Sequence, residues 1–480
     1  VLMFVTDDVP FLVDTVRMVL DRYGLGIHLL VHPMLSIVRD DDHEIVGFAD
    51  EDSSASEDGV VEAWTLVELD RCAPDIESEL EAEVARAIGE VVRVVGDFEE
   101  MRSRITSVDN GDPLLAWLAN QHFVFLGAAS YDRTVDADGS IELAFRPGSE
   151  LGDYRPEARL NPNTPYPPSK PGDDEIAIAR TDAIATVHRP ARMTCIMVRP
   201  AADGGRVEHR FIGLLGSGAY RESVFSIPTV CDRANEVLEA AGVSEVSHTG
   251  RAVKNVVETL PRDIVFELDS QALAELVIDI VGLQERRIVR VFDVAEPVGP
   301  WTTVFVYVPR ARFDSELPDR VRQLVERHYG SESRDLQTLR GSSSLARITM
   351  TVRAVERIDL ERIAEAVDQL SMTWDERAQS VICASVGDVA GRRLFGKVRD
   401  AIPGDYRARV APEESSADLI TVARLLDADP ESPESLVTSM GRSVDAPAGH
   451  WRFRVFRRGR ASTIAELVPL LDHLGLHAVD

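Results

Sequence analysis

The chain has 480 residues, with 52 Lys and Arg against 81 Asp and Glu, a formal net charge of −29. An acidic excess of that size excludes the basic patches that hold nucleic acid or an anionic membrane, and reads as a solvated acidic surface. A 44% hydrophobic fraction supplies several cores, and the length predicts roughly three or four domains of about 100–200 residues.

Only three of the basic residues are lysines, Lys170, Lys254 and Lys397, so a mechanism needing a deprotonatable amine has three candidates. No run of 18 apolar residues occurs, which excludes a membrane-spanning helix. Cys72, Cys195, Cys231 and Cys383 are too widely spaced for a disulfide framework or a CxxC metal site, and read as reduced thiols of a cytoplasmic protein.

Residues 1–6 predict a strand, so the chain opens inside a domain. Asp7-Asp8-Val9-Pro10 predicts a turn into a helix whose apolar side is Phe11, Val13, Val16, Val19 and Leu20. Gly24 ends that helix where a left-handed residue is wanted. A long β run follows from Ile27 to about Val38, then an acidic, Ser-rich segment, 39–59, predicted as a mobile loop. Val60–Leu69 alternates as a strand, and Asp75 to about Ile105 reads as one long acidic helix.

Further on, residues 113–119 predict a short helix and His122–Leu126 a strand. Seven prolines between 147 and 171 mark an irregular surface segment. Strands are predicted at Ile184–Arg189, Thr194–Val198, Arg210–Leu215 and Ile264–Leu268, with helices near 229–241 and 250–259. A helix from Gln271 to about Glu285 precedes strands at 287–293 and 302–308, a helix at 318–328 ended by Gly330, a strand at Ala346–Arg353 and a helix at 359–370. Residues 386–442 read as mostly helical with acidic loops; Trp451–Phe456 is a strand, followed by a helix from Ser462 to about Leu474.

One device recurs three times: a strand, a short turn and an amphipathic helix that stops at a glycine. The copies close at Leu20–Leu25, Val325–Gly330 and Leu471–Leu476, and the first and third share L-D-x-x-G-L. The β-α-β half-unit is what a ferredoxin-like fold uses twice, although glycine is also the common helix stop in any α+β chain. The expected fold is α+β: several ferredoxin-like βαββαβ units with antiparallel sheets, plus a helical segment. The expected divisions are 1–105, 106–269, 270–385, a helical linker at 386–445, and an unfinished unit at 446–480. One strand and one helix cannot bury a core, so the chain is expected to be an N-terminal piece of a larger protein.

Recognisable chemistry is sparse. Gly24-Leu25-Gly26 and Gly216-Ser217-Gly218 are followed by bulky residues and do not fit a dinucleotide fingerprint. P-loop, G-x-S-x-G, HExxH and EF-hand patterns are absent. His28 and His32 lie on a strand, where four residues span about 13 Å, too far for one metal ion. His188-Arg189 and Glu208-His209-Arg210 form either an anion site or a salt-bridged sheet face. The sharpest short motif is Asp7-Asp8-Val9-Pro10-Phe11. It reads as capping carboxylates with a first-turn proline, or as a strand-to-helix loop whose N–H groups hold a ligand carboxylate.

At these residues the chain resembles a known family. D-D-V-P-F-L-V-D-T-V and G-L-G-I-H-L-L-V-H-P (7–33) are similar to the N-terminal region of the large bacterial NAD-dependent glutamate dehydrogenases. The similarity continues in A-W-L-A-N-Q-H-F-V-F-L-G (116–127), T-V-H-R (186–189), H-R-F-I-G-L-L-G-S-G-A-Y (209–220), L-P-R-D (260–263), V-Y-V-P-R-A-R-F (306–313) and R-G-R-A-S-T-I-A-E-L-V-P-L-L-D-H-L-G-L (458–476). The resemblance implies ACT-type regulatory domains, a cytoplasmic homotetramer, and a parent enzyme that uses NAD to deaminate glutamate. It implies no catalytic or cofactor-binding residue in this chain, since none of the three lysines sits in the glycine-rich setting of the family's catalytic lysines. It also implies an amino-acid effector at the loop Asp7, Asp8, Val9, Pro10 and Phe11. Many ligand-binding ACT domains have glycine where Phe11 stands, and a ring there competes for the ligand's space. The alternative is a subunit-interaction scaffold with no small-molecule ligand.

Overall fold

The structure, a computed structural model, describes the chain except residues 49–59, 109–110, 137–139, 157, 165–174, 201–203, 205, 284–285, 342, 355–357, 428–434, 442–449, 459–462 and 477–480. Lys170, most of the acidic loop 39–59 and the ADPESPE stretch therefore lie outside the described residues. Contacts divide the chain into two units, 1–307 with 322–363, and 308–321 with 364–480.

The first sheet is built from β1 (Leu2–Thr6), β2 (Ile27–Val31), β3 (Met34–Arg39), β4 (Ile45–Phe48) and β5 (Val60–Leu69), with α1 (Leu12–Arg22) and α2 (Pro74–Ser107). The β run expected at 27–38 is broken at His32-Pro33, because proline lacks the N–H a ladder needs. Both halves still pair with β5 antiparallel, so they serve as one interrupted strand. Asp40 folds back through its carboxylate, and residues 45–48, expected to be loop, return as β4. Val67 of β5 lies opposite Leu2 and Leu30, and with Phe4 they meet Val16, Val19 and Leu20 of α1 and Leu80, Val84 and Ala87 of α2. Further along the same helix, Val91 and Val94 join the next domain's core, and Met101 and Ile105 join a third cluster. One 34-residue helix thus ties the first domain to the second.

The second sheet contains β6 (Phe123–Val135), β7 (Ile141–Phe145), β8 (Leu151–Gly152), β9 (Ile176–Ile184), β10 (Arg192–Val198) and β11 (Val207–Leu215), preceded by α3 (Pro113–Trp117). Its main path runs β7-β6-β11-β10-β9, antiparallel throughout. Of the strand expected at Ile184–Arg189, only Ile184 belongs to a strand; residues 185–189 bend ahead of Pro190, with His188 at φ 73°. A helical layer follows: α4 (Ser217–Arg221), α5 (Val230–Ala240), α6 (His248–Thr259), α7 (Arg262–Glu267) and α8 (Ser270–Val281). The strand expected at 264–268 is α7. A short, mostly apolar stretch is the case periodicity cannot decide, and Pro261 at its N-cap starts a helix instead.

The third sheet is β12 (Arg290–Ala295), β13 (Trp301–Pro309), β14 (Arg334–Leu339) and β15 (Leu345–Arg353), with α9 (Leu317–Tyr329) and α10 (Leu360–Ser371), in the order β12-β13-β15-β14. In a βαββαβ unit the fourth strand closes the sheet beside the first. Here β12, which precedes the first strand, fills that place. The first sheet has no such strand beside β1 among the described residues.

The remaining elements are α11 (Trp374–Val386), α12 (Asp388–Val398), α13 (Gly404–Arg409) and α14 (Ser416–Leu425), then β16 (Leu436–Gly441), β17 (Arg452–Arg457) and α15 (Ile464–His473). β16 was not anticipated; it pairs antiparallel with β17. The order β16-β17-α15 repeats β12-β13-α9. No residue of α15 is buried, and Ile464, Leu470 and Leu474 are open to solvent.

The glycine stops are left-handed as expected, with φ 66° at Gly24, 64° at Gly330 and 74° at Gly475. The first and third close with the same pair of bonds, Gly24 N–H to Asp21 with Leu25 N–H to Leu20, and Gly475 N–H to Asp472 with Leu476 N–H to Leu471. Yet α5 stops the same way at Gly242. The stop is therefore general helix chemistry, and strand order carries the repetition.

Candidate functional site

The loop Asp7–Phe11 connects β1 to α1. Asp7, Asp8 and Pro10 are exposed, and neither aspartate caps the helix: its N-cap is Phe11, with no side-chain cap bond. Phe11 is left-handed at φ 70°, a costly state for an aromatic residue. Its ring lies 4.8 Å from that of His188, itself at φ 73°. The His188 N–H donates to the Thr15 hydroxyl at 3.1 Å, and its Nδ1 lies 3.6 Å from the Asp14 carboxylate. Val9 and Phe11 pack on the second domain's core cluster, which includes Ala185 and Val187. The inner wall of the loop is thus filled by side chains of the same chain.

The other sequence candidates separate. His28 pairs with Asp70 at 2.9 Å and His32 with the Thr65 hydroxyl at 2.7 Å. Among the described residues, no group of three or more His, Cys, Asp or Glu is placed to hold a metal ion. Glu208 takes Arg199 at 2.9 Å and Arg210 at 2.7 Å, all buried, so the salt-bridged sheet face is what forms there. Lys254 pairs with Glu245 and sits 4.8 Å from the Phe225 ring centre; Lys397 reaches Asp427 at 2.5 Å.

The two glycine turns sit in different local settings. Gly24 ends a helix instead of opening one, and the Gly26 N–H is already given to Asp70 at 2.7 Å. Gly216 does open a helix after a strand, contrary to the sequence reading, but that helix has five residues and its strand lies in an antiparallel sheet. A Cβ on Gly216 would meet the Gln121 carbonyl at 2.8 Å, so close packing on the chain's own backbone explains the glycine.

Sequence reasoning missed a second constellation. On β9, Arg180 binds Glu267 at 3.1 Å and Glu296 at 2.9 Å, and donates to the Thr303 hydroxyl at 3.0 Å. On β10, Arg192 holds both Glu296 oxygens, at 2.6 and 2.9 Å. All four charged side chains are buried. Burial pushes the Glu267 carboxyl up although Arg180 pulls it down. Arg192, Arg334 and Arg353 surround the Trp301 ring at 4.7, 4.9 and 4.9 Å, and the Trp301 indole N–H donates to Asp182. Arginines inside apolar strands, and Glu267 inside I-V-F-E-L, were the sequence signals of this cluster.

The cluster walls a cavity of about 50 Å³ lined by Arg180, Arg189, Arg192, Tyr220, Asp263 and Asp335, with Thr194, Thr303, Thr349 and Thr351 among its other walls. Arg189 donates to the Leu215 carbonyl at 3.0 Å and to the Tyr220 hydroxyl at 3.4 Å. Burial raises the pKa of both Tyr220 and Asp335 above their usual values.

The first and third sheets share the ferredoxin-like strand order. Residues 1–84 match the family described as "Glutamate dehydrogenase, ACT1 domain", 227–286 "Glutamate dehydrogenase, helical motif 1", and 290–375 "Glutamate dehydrogenase, ACT2 domain". The helical motif coincides with α5 to α8.

The chain is similar over nearly its whole length to large NAD-specific glutamate dehydrogenases. It is 29% identical to that of Halomonas elongata, over 98% of this chain and 31% of that protein. The protein of Pseudomonas aeruginosa is 28% identical, over 98% and 30%, and that of Mycobacterium tuberculosis 24%, over 97% and 29%. The chain spans about 30% of the length of these relatives.

Proposed function

We propose that this chain is a non-catalytic regulatory and oligomerisation region of a large NAD-dependent glutamate dehydrogenase, whose parent reaction converts L-glutamate to 2-oxoglutarate and ammonia. The observation that carries the reading is the pair of ACT1 and ACT2 matches falling on two ferredoxin-like sheets. Among the described residues, Gly26 and Gly216 pack on the chain's own groups and Lys254 and Lys397 are held in ion pairs, which supports it. NAD belongs to the parent's catalytic part, and a homotetramer in the cytoplasm is the expected assembly. In this reading an amino-acid effector binds one state of the oligomer better than another and shifts their populations. The test is a glutamate-dependent NAD-reduction assay on the purified 480-residue chain. No turnover is expected, and sustained turnover sinks the reading.

A second reading, a scaffold without a small-molecule ligand, is favoured by the outer face of the first sheet. Met3, Val5, Leu29 and Val31 there are 61%, 39%, 48% and 41% exposed, an apolar face of the kind that marks an interaction surface. Sedimentation of the chain with Met3→Glu and Leu29→Glu separates the readings: loss of assembly supports the scaffold, and unchanged assembly removes this face from it.

A further inference from the structure

Asp335 is the most unusual residue in the cavity wall. It is left-handed, at φ 57°, without being glycine. It lies where the β14–β15 register shifts, between Arg334 and Gln337, and such irregularities re-aim side chains. Its Oδ2 is buried with no hydrogen-bond partner, an expensive state that calls for an explanation. Asp263, on α7, carries no ion pair among the described residues and acts electrostatically on Tyr220. Opposite in sign, Arg189 hydrogen-bonds through its Nη2 and lies 5.6 Å from the Tyr220 ring centre, while its Nε and Nη1 have no hydrogen-bond partner among the described residues. Arg180 and Arg192 are paired from behind by Glu267 and Glu296, and both also act electrostatically on Asp335.

The cavity thus offers a guanidinium edge and two carboxylates that hold no hydrogen-bonded ion partner among the described residues, with threonine hydroxyls around them. A ligand that satisfies both signs carries a carboxylate and an ammonium. Size narrows the choice. A water needs about 10–15 Å³, so about 50 Å³ takes roughly three to five waters, the space of a ligand no larger than glycine or alanine.

We propose that this cavity is a binding site for a small α-amino acid zwitterion, its carboxylate on Arg189 and Tyr220 and its ammonium on Asp335 and Asp263. The site is distinct from the Asp7–Phe11 loop, and the inference stands on the cavity alone, whatever the chain does for a parent enzyme.

The test is calorimetry on the 480-residue chain with glycine and L-alanine, and with acetate and methylammonium as the two half-ligands. Glycine or alanine is expected to bind, each half-ligand at least about tenfold more weakly. Asp335→Asn, which tolerates the left-handed backbone, and Arg189→Met are each expected to weaken binding by about 10–100-fold with the fold intact by circular dichroism. Three results overturn the proposal: no heat with either amino acid up to about 10 mM, equal binding by the two variants and the parent chain, or acetate binding as tightly as glycine. None of these bears on NAD reduction, so this site and the non-catalytic reading fail separately.

Discussion

Glu296 is the residue on which the buried cluster depends most. Its carboxylate takes Arg192 at 2.6 and 2.9 Å and Arg180 at 2.9 Å, with the side chains 2%, 1% and 7% exposed respectively. In Glu296→Ala, Arg180 retains Glu267 and Thr303, but Arg192 is left with the Thr181 carbonyl and the Trp301 face. Removing one partner of a buried ion pair costs about 3–5 kcal/mol, because the survivor stays dehydrated and unpaired. At about 2–4 °C per kcal/mol for a large domain, the transition of this unit falls by roughly 6–20 °C. The control is Asp132→Asn, which removes an equally short contact to Arg146, 2.5 Å, between side chains 58% and 44% exposed. Such a pair contributes about 1 kcal/mol or less. Differential scanning calorimetry of both variants decides the matter. If Glu296→Ala melts within about 2 °C of Asp132→Asn, burial does not govern these pairs as argued.

A buried carboxyl sets a pH dependence. Burial raises Asp153 to about 7, with Glu90 adding to the rise. This folded value lies above the unfolded one, so the stabilisation of the protonated form is complete below about pH 4 and is lost as pH rises through about 7. Melting temperature should therefore climb as pH falls from 8 toward 5, and Asp153→Asn should raise it at pH 8 and flatten the slope; an unchanged slope refutes the assignment. Phe11→Gly relieves the left-handed strain but removes the ring from His188, so amide exchange should accelerate across residues 7–16. Unchanged exchange there means that the ring does not hold the loop. Gly24→Ala forces a side chain into φ 66° and should cost about 1–2 kcal/mol by urea denaturation, whereas full stability would mean that the helix stop re-forms elsewhere.

Local chemistry was legible in the sequence because it acts over a few residues. The α+β class, the long acidic helix and the left-handed glycines at Gly24, Gly330 and Gly475 all follow from spacing and residue type. Apolar runs were less so: Ile264–Glu267 forms a helix because Pro261 starts one there, and β16 goes unrecognised until β17 supplies its ladder. The candidate loop Asp7–Phe11 could be named from sequence, but not the His188 ring that packs on it from a turn 177 residues away. The cavity was invisible for the same reason. Arg180, Arg192, Glu267, Glu296 and Asp335 are single charges scattered over 156 positions, and each alone looks like an ordinary polar residue. Only the third sheet, with β12 filling the place beside β13, brings Thr303, Asp335 and Thr351 against β9 and β10 and closes those charges into one site. Sequence fixes which residues can carry charge; tertiary structure decides which of them lose water and must find a partner.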